Sequence, residues 1–188
     1  MRIIAGKLGG RVLKVPNNLP VRPTTDRTKE SLFNIIAAQK DMEGMEILDI
    51  CCGTGNIGIE FFSRGATKIV SVDKDRRCVA AVKNLFETLN VENGKVIQAD
   101  MLKFVENPFK FLGDSAPFDI IFIDPPYALP NQGAIIQKLF SFSILKEDGW
   151  IILEHSSLLS FSTIEFHLFT RKYGSSSISF FGNPEKNE

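Results

Sequence analysis

The sequence predicts an open α/β fold, a parallel sheet covered by helices, preceded by a small basic hairpin. Three observations predict it. From Glu46 onward short apolar runs alternate with helix-period segments, and four of those runs end on an acidic residue. One of them, Phe118 to Ile123, is almost wholly apolar, as a central parallel strand buried on both faces must be. The first thirty residues share neither pattern and carry seven basic side chains (Arg2, Lys7, Arg11, Lys14, Arg22, Arg27, Lys29) against Asp26 and Glu30.

In chain order, weak alternation on either side of Gly9-Gly10 reads as a hairpin over the first fifteen residues, and Pro16 to Pro23 keeps the chain extended. Thr24, Thr25 and Asp26 are competent caps ahead of Leu32, Phe33, Ile35 and Ile36, so a helix is expected from about Arg27 to Gln39. Ile47–Ile50 is the first strand, followed by a helix from Ile57 to Ser63 that Gly65 closes. Ile69–Val72 is the second strand. Cys78, Val79, Val82, Leu85, Phe86 and Leu89 mark one face of an amphipathic helix. Lys95–Gln98 and Phe118–Ile123 are further strands, with a short helix at Leu102 to Val105 between them. A helix around Ala134 to Phe142 and a strand from Trp150 to Glu154 continue the alternation. Ser162–Thr170 and Ser175–Phe181, around Lys172-Tyr173-Gly174, read as two antiparallel strands. The expected division is an arm over 1–25 and one α/β domain over 26–188.

Bulk composition narrows the class. Sixteen Phe and 44% apolar residues in 188 describe a chain that buries a core. No apolar run approaches the roughly 20 residues that span a bilayer, and the N-terminus has charge and glycine where a signal peptide has an apolar stretch. A cytoplasmic protein with no membrane partner is expected. Cys51, Cys52 and Cys78 have no metal or disulfide spacing and read as packing residues, so no metal is expected. The net charge is zero, but the first thirty residues are +5 and the rest −5. A basic arm on an acidic body suits phosphate tracking, and charge alone fits a solvated hairpin equally well.

Ligands of open α/β sheets sit beyond the carboxyl ends of the strands. The chemistry is therefore sought at Asp49 with Cys51-Cys52-Gly53-Thr54-Gly55, at Asp73-Lys74, at Asp100-Met101, and at Asp124-Pro125-Pro126-Tyr127. Gly53, Gly55 and Gly58 followed by Asp73 fit the dinucleotide fingerprint in letters. In such a site, however, the strand runs straight into the first glycine to receive a pyrophosphate, whereas here it first reaches Asp49. A carboxylate there repels a pyrophosphate and accommodates a cation, such as the methionine end of S-adenosylmethionine. Asp73 has two oxygens for the two ribose hydroxyls, and Asp75 is left to cap the next helix. Asp100 reads either as an acceptor for the adenine amino group or as a cap on the short helix. In Asp124-Pro125-Pro126-Tyr127, prolines remove two backbone donors and leave acceptors, the Asp124 carboxylate and the Pro125 carbonyl. Two acceptors gripping the hydrogens of a conjugated amine turn its lone pair toward a methyl donor, and Tyr127 can stack on an extruded base. His155 and His167 are isolated and read as structural.

These residues resemble the bacterial 16S rRNA guanine-N2 methyltransferases of the class I, Rossmann-like, S-adenosylmethionine-dependent fold. The resemblance is carried by Arg2-Ile3-Ile4-Ala5-Gly6 with Gly10-Arg11, by Arg22-Pro23-Thr24-Thr25-Asp26-Arg27 leading to Glu30-Ser31-Leu32-Phe33-Asn34, by Leu48-Asp49 with Gly53-Thr54-Gly55 and Gly58, and by Asp124-Pro125-Pro126-Tyr127. It implies a seven-stranded, mostly parallel sheet with an antiparallel C-terminal hairpin. It implies cofactor contacts from Asp49, Cys51, Gly53, Thr54, Gly55, Asp73, Lys74, Asp100 and Met101, with Thr24, Thr25 and Arg27 closing over the methionine end, although helix capping explains the threonines equally well, and a reaction corner of Asp124, Pro125, Pro126 and Tyr127. The implied partner is 16S rRNA or the assembling small ribosomal subunit, met by Arg2, Lys7, Arg11, Arg22 and Arg27. Cys51-Cys52 stands where related sequences more often carry Phe-Ala. The proline corner is shared with adenine-N6 DNA and glutamine-N5 protein methyltransferases, and the arm favours RNA over both. A nicotinamide dehydrogenase leaves the proline corner without a use. A non-catalytic assembly factor gives an intact Asp124 no role.

Overall fold

The computed structural model describes residues 1–16, 18–21 and 24–183. Its elements are α1 (Asp26–Gln39), β1 (Glu46–Ile50), α2 (Asn56–Ser63), β2 (Lys68–Asp73), α3 (Arg76–Thr88), β3 (Gly94–Gln98), α4 (Met101–Glu106), α5 (Phe109–Leu112), β4 (Phe118–Ile123), α6 (Gln132–Phe140), β5 (Leu145–Ser156), β6 (His167–Tyr173) and β7 (Ser176–Phe181). The strands form one seven-stranded sheet in the order β3-β2-β1-β4-β5-β7-β6. Strands β3 through β5 pair in parallel, and β7 runs antiparallel to both β5 and β6. The expected fold class, including the reversed C-terminal hairpin, is what the chain adopts.

The period-2 geometry of strands sorts the apolar residues onto two faces. Ile47, Ile120, Phe122, Trp150 and Ile152 point to a core shared with α1, α2 and α3. Their neighbours Leu48, Ile121, Ile123, Ile151 and Leu153 point to a second core shared with α4, α5 and α6. A strand used on both faces cannot alternate, which is why Phe118–Ile123 reads as an unbroken apolar run.

The strand order reverses between β1 and β4. Crossovers to one side lead to β2 and β3 and those to the other lead to β5, so the loops leaving β1 and β4 diverge and open a crevice at their carboxyl ends. Both sequences with the most chemical content, after Asp49 and after Ile123, fall at this point.

Several boundaries differ from the sequence expectation. Helix α6 lies two residues earlier than the periodicity suggests, because Asn131 adopts φ 56° and starts it there. Strand β5 begins at Leu145, five residues before Trp150; Leu145 pairs with Phe118 across a register shift that absorbs the irregular stretch before Trp150. Residues 162–166 are turns and not strand; Phe166 has φ 68° and its ring stacks on Phe140 at 4.4 Å, which leaves β6 to begin at His167. The N-terminal hairpin is held by a single bridge, Arg2 with Val12, and by backbone bonds such as Ile3 N–H to the Arg11 carbonyl at 2.9 Å.

That hairpin is docked on the body. Backbone N–H groups of Ile4 and Ala5 donate to the two oxygens of Glu60, at 2.8 and 3.1 Å, and the Lys7 N–H donates to the Ser63 carbonyl at 2.7 Å. Lys29 on α1, whose side chain is fully buried, pairs with Glu60 at 3.0 Å and donates to Asn56 Oδ1 at 2.9 Å and to the Arg2 carbonyl. Burial alone would raise the Glu60 carboxyl. The Ile4 N–H, Lys29 and Arg64 outweigh it and hold that carboxyl below its ordinary value. Lys29 thus belongs to the buried clamp and leaves the basic surface with one charge fewer than the sequence count.

Candidate active site

At the crevice lies a cavity of about 1230 Å³ lined from β1, β2, β4, β5, α1, the loops after β3 and β4, and the β6–β7 turn. Its floor begins at the end of β1. Asp49 is 1% exposed, and its Oδ2 accepts the Gly58 N–H at 3.2 Å. Burial pushes the Asp49 carboxyl up to about 7, the Gly58 N–H works against the rise, and Asp73 adds to it. A carboxyl with that value is poised between neutral and charged at physiological pH and gains most from a cationic neighbour.

The turn after β1 needs left-handed backbone, φ 62° at Cys51, 53° at Gly53 and 74° at Gly55. Gly58 answers a different demand. A Cβ there would lie 2.9 Å from Ile69 Cγ2 and 3.3 Å from Asp49 Oδ2, so the glycine lets α2 press onto β1 and β2 while its N–H reaches Asp49. Asp73, ending β2, fixes the loop from the other side. One oxygen accepts the Gly53 N–H at 2.9 Å and the other the Asp75 N–H at 2.8 Å. Each oxygen keeps a lone pair for a diol.

Asp75 caps α3 through the Arg77 N–H, as the sequence suggests. Asp100 caps α4 as well, with both bonds, to Leu102 N–H and Lys103 N–H, made by Oδ1. Capping and lining are compatible, since Asp100 and Met101 both border the cavity. Thr25 is the N-cap of α1, accepting from Thr28 N–H at 3.2 Å, and Thr24 Oγ1 reaches Glu154 Oε2 at 3.5 Å.

The β4 corner stands beside the floor. The Asp124 N–H donates to the Ile50 carbonyl at 3.2 Å, which ties the corner to the end of β1. Pro125 is buried, Pro126 is exposed, and Tyr127 is 37% exposed at the cavity mouth. All four residues of the corner line the cavity, together with Asp49, Cys51, Gly53, Thr54, Asp73, Lys74, Asp100, Met101, Thr25 and Arg27. Gly55 shapes the turn without lining it. Arg2, Lys7 and Arg11 are exposed on the docked hairpin and do not line the cavity, and Lys7 sits 3.7 Å over the Phe62 ring. Arg22 lies outside the described residues.

Two parts of the lining went unseen in the sequence. Glu154 is buried at the end of β5, next to the corner, and Lys172 to Ser176, the β6–β7 turn with the strand ends that flank it, close the far side. An acid ending an apolar strand was the available signal for Glu154, identical to that for Asp49. Cys52 and Cys78 are buried, Cys51 borders the cavity, and burial raises all three thiols, Cys78 to about 11, so they stay protonated near neutrality. His155 and His167 are held by Ser179 and Thr170, each at 2.8 Å, and neither lines the cavity. Among the described residues no cluster of His, Cys, Asp or Glu suits a metal, and no helix is long and apolar enough to cross a membrane.

Residues 1–182 match the family described as Conserved hypothetical protein 95. The chain belongs to that family. It is 36% identical over 156 residues to YlbH of Bacillus subtilis, covering 82% of each chain. It is 34% identical to the Haemophilus influenzae protein named ribosomal RNA small subunit methyltransferase D, covering 82% of this chain and 78% of that one. A solved structure from Thermus thermophilus, described as a hypothetical protein, superposes with a TM-score of 0.79 at 25% identity, covering 97% of this chain and 99% of that one. The family match takes in the docked hairpin as well as the sheet.

Proposed function

We propose that this protein transfers a methyl group from S-adenosylmethionine to the exocyclic N2 amine of a guanine in 16S rRNA. The observation that carries the reading is that one cavity joins the Asp49–Asp73 floor to the Asp124-Pro125-Pro126-Tyr127 corner. Relatives from Haemophilus influenzae and Escherichia coli, the latter 30% identical over 151 residues, are both named ribosomal RNA small subunit methyltransferase D, which supports rRNA as the substrate. A cytoplasmic location follows from that substrate.

The residues fit the cofactor. Asp49 supplies a buried carboxylate for a cation, Asp73 has an oxygen for each of two ribose hydroxyls, and the Gly53 and Gly55 backbone leaves room for close approach. Cys51, Thr54, Lys74, Asp100, Met101 and Thr25 complete that half. When bound, the cofactor supplies a methyl on a sulfonium, already activated for transfer. The protein contributes alignment and exclusion of water.

At the corner, the Asp124 carboxylate and the Pro125 carbonyl accept the two amine hydrogens, so the nitrogen lone pair is no longer held in conjugation with the ring. Tyr127 stacks on the extruded base. The proton released as the N–C bond forms passes to Asp124 or to a water beside it. Arg2, Lys7, Arg11, Arg22 and Arg27 hold RNA phosphates, and residues 1–25 serve as an arm on a catalytic domain of residues 26–188.

Asp124→Ala tests the reading. Methylation of small ribosomal subunits falls by at least a hundredfold while RNA affinity stays within twofold. Retained methylation would refute the catalytic role, and lost RNA affinity would favour an assembly factor.

A further inference from the structure

The cavity crosses the sheet edge from β2 to the β6–β7 turn, and the proposed cofactor contacts occupy only its first half. Beyond the corner, β5 pairs with β4 in a register that matches Leu153 with Ile123, so Glu154 stands beside Asp124. Two short connections meet there. Ser157 N–H, in the loop leaving β5, donates to the Ser175 carbonyl of the β6–β7 turn at 3.0 Å. The loop is braced from within, by Leu159 N–H to the Ser156 carbonyl at 3.0 Å and Leu158 N–H to Ser156 Oγ at 3.3 Å. The turn is braced as well, by the Ser176 hydroxyl donating to the Tyr173 carbonyl at 3.5 Å. On this stiff support Leu158 is 93% exposed and Lys172 is exposed, and Lys172 lines the cavity.

Charge decides what can enter. The cavity is lined by six acids, Asp49, Asp73, Asp75, Asp100, Asp124 and Glu154, against three cations, Arg27, Lys74 and Lys172, so its floor repels phosphates and admits an uncharged base. A nucleic acid can deliver a base there only if cations outside the floor hold its backbone. Arg27 on α1 and Lys172 near the end of β6 are placed for that.

We propose that Lys172 and Leu158 form a docking lip for RNA, Lys172 with Arg27 holding the phosphates that flank the target nucleotide and Leu158 filling the gap its base leaves in the stack. Apolar side chains inserted between bases perform this task in other nucleic-acid complexes. The proposal rests on the RNA-methylating function proposed above.

The test measures methyl transfer and RNA binding with small ribosomal subunits from cells lacking the protein. Lys172→Ala, Leu158→Ala and Leu158→Met are compared with Lys83→Ala, which removes an exposed cation of α3 outside the cavity. Lys172→Ala is expected to raise KM for the subunit roughly tenfold and to lower the slope of log affinity against log salt by about 1, with Lys83→Ala changing neither. Leu158→Ala is expected to lower kcat/KM about tenfold, Leu158→Met to restore it, and cofactor affinity to stay unchanged in all. Subunits labelled by the parent and equally well by Lys172→Ala and Leu158→Ala, with an unaltered salt slope, would overturn the lip alone. A parent that labels no RNA overturns the function, and the lip with it.

Discussion

Gly53 and Asp73, twenty residues apart, are joined by a 2.9 Å hydrogen bond from the glycine N–H to the carboxylate, so the acid proposed to hold a ribose also sets the loop proposed to approach the rest of the ligand. Removing Asp73 therefore acts twice. Asp73→Ala is expected to weaken S-adenosylmethionine binding at least tenfold, and to lower Tm by several degrees because two N–H groups lose their acceptor, each costing about 1–3 kcal/mol where buried. Calorimetric titration and thermal melts check this; full cofactor affinity in the variant would contradict the assignment.

The Asp49 carboxyl has an ordinary value of 3.8 and a folded value of about 7. Between those values the folded, cofactor-free protein holds a proton that the unfolded chain has released. The contribution of Asp49 to stability is thus fully present below about pH 4, falls as pH rises to about 7 and levels off above. A cation prefers the ionised carboxylate, so cofactor affinity should rise between pH 6 and 8 as that contribution reaches its floor. Asp49→Asn should flatten both profiles. Titrations and melts at pH 5, 6, 7 and 8 measure them, and an affinity independent of pH in the parent would exclude Asp49 from the cation site.

The Lys29–Glu60 pair joins the N-terminal hairpin to α1 and to Asn56, the first residue of α2. Lys29→Met leaves Glu60 buried without its main counter-charge, a loss of about 3–5 kcal/mol. Exchange of the Ile4 and Ala5 amides should accelerate more than that of the β4 amides, as amide-resolved hydrogen exchange can show. Uniform acceleration would mean that the pair supports the whole fold and not the hairpin.

Gly58→Ala pushes a methyl to 2.9 Å from Ile69 Cγ2 and 3.3 Å from Asp49 Oδ2. Overpacking of this kind costs about 1–3 kcal/mol. Lengthening of the Gly58–Asp49 hydrogen bond should raise the Asp49 carboxyl further and shift the affinity profile to higher pH. An unshifted profile would separate packing from the acid.

Much of the fold was readable because strands with two buried faces and an amphipathic helix such as α3 leave unmistakable apolar patterns. Asp49, Asp73 and Asp124 were readable because a lone acid ending an apolar strand is costly without a task. The start of β5 was hidden, since Leu145 joins the sheet through a register shift that breaks the pattern before Gly149. The fate of Lys29 was hidden too. Its partner Glu60 is thirty-one residues away, and only tertiary packing distinguishes a buried lysine from the exposed ones around it. The β6–β7 turn borders the cavity because the sheet order brings it there, which no local signal in Lys172 to Ser175 encodes.

The most direct measurement is transfer of labelled methyl from S-adenosylmethionine to small ribosomal subunits and naked RNA taken from cells lacking this protein, followed by nucleoside analysis. Label in N2-methylguanosine of 16S rRNA, abolished by Asp124→Ala, is the expected result. Cofactor binding without label in any RNA, or label in N6-methyladenosine alone, would contradict a guanine-N2 methyltransferase.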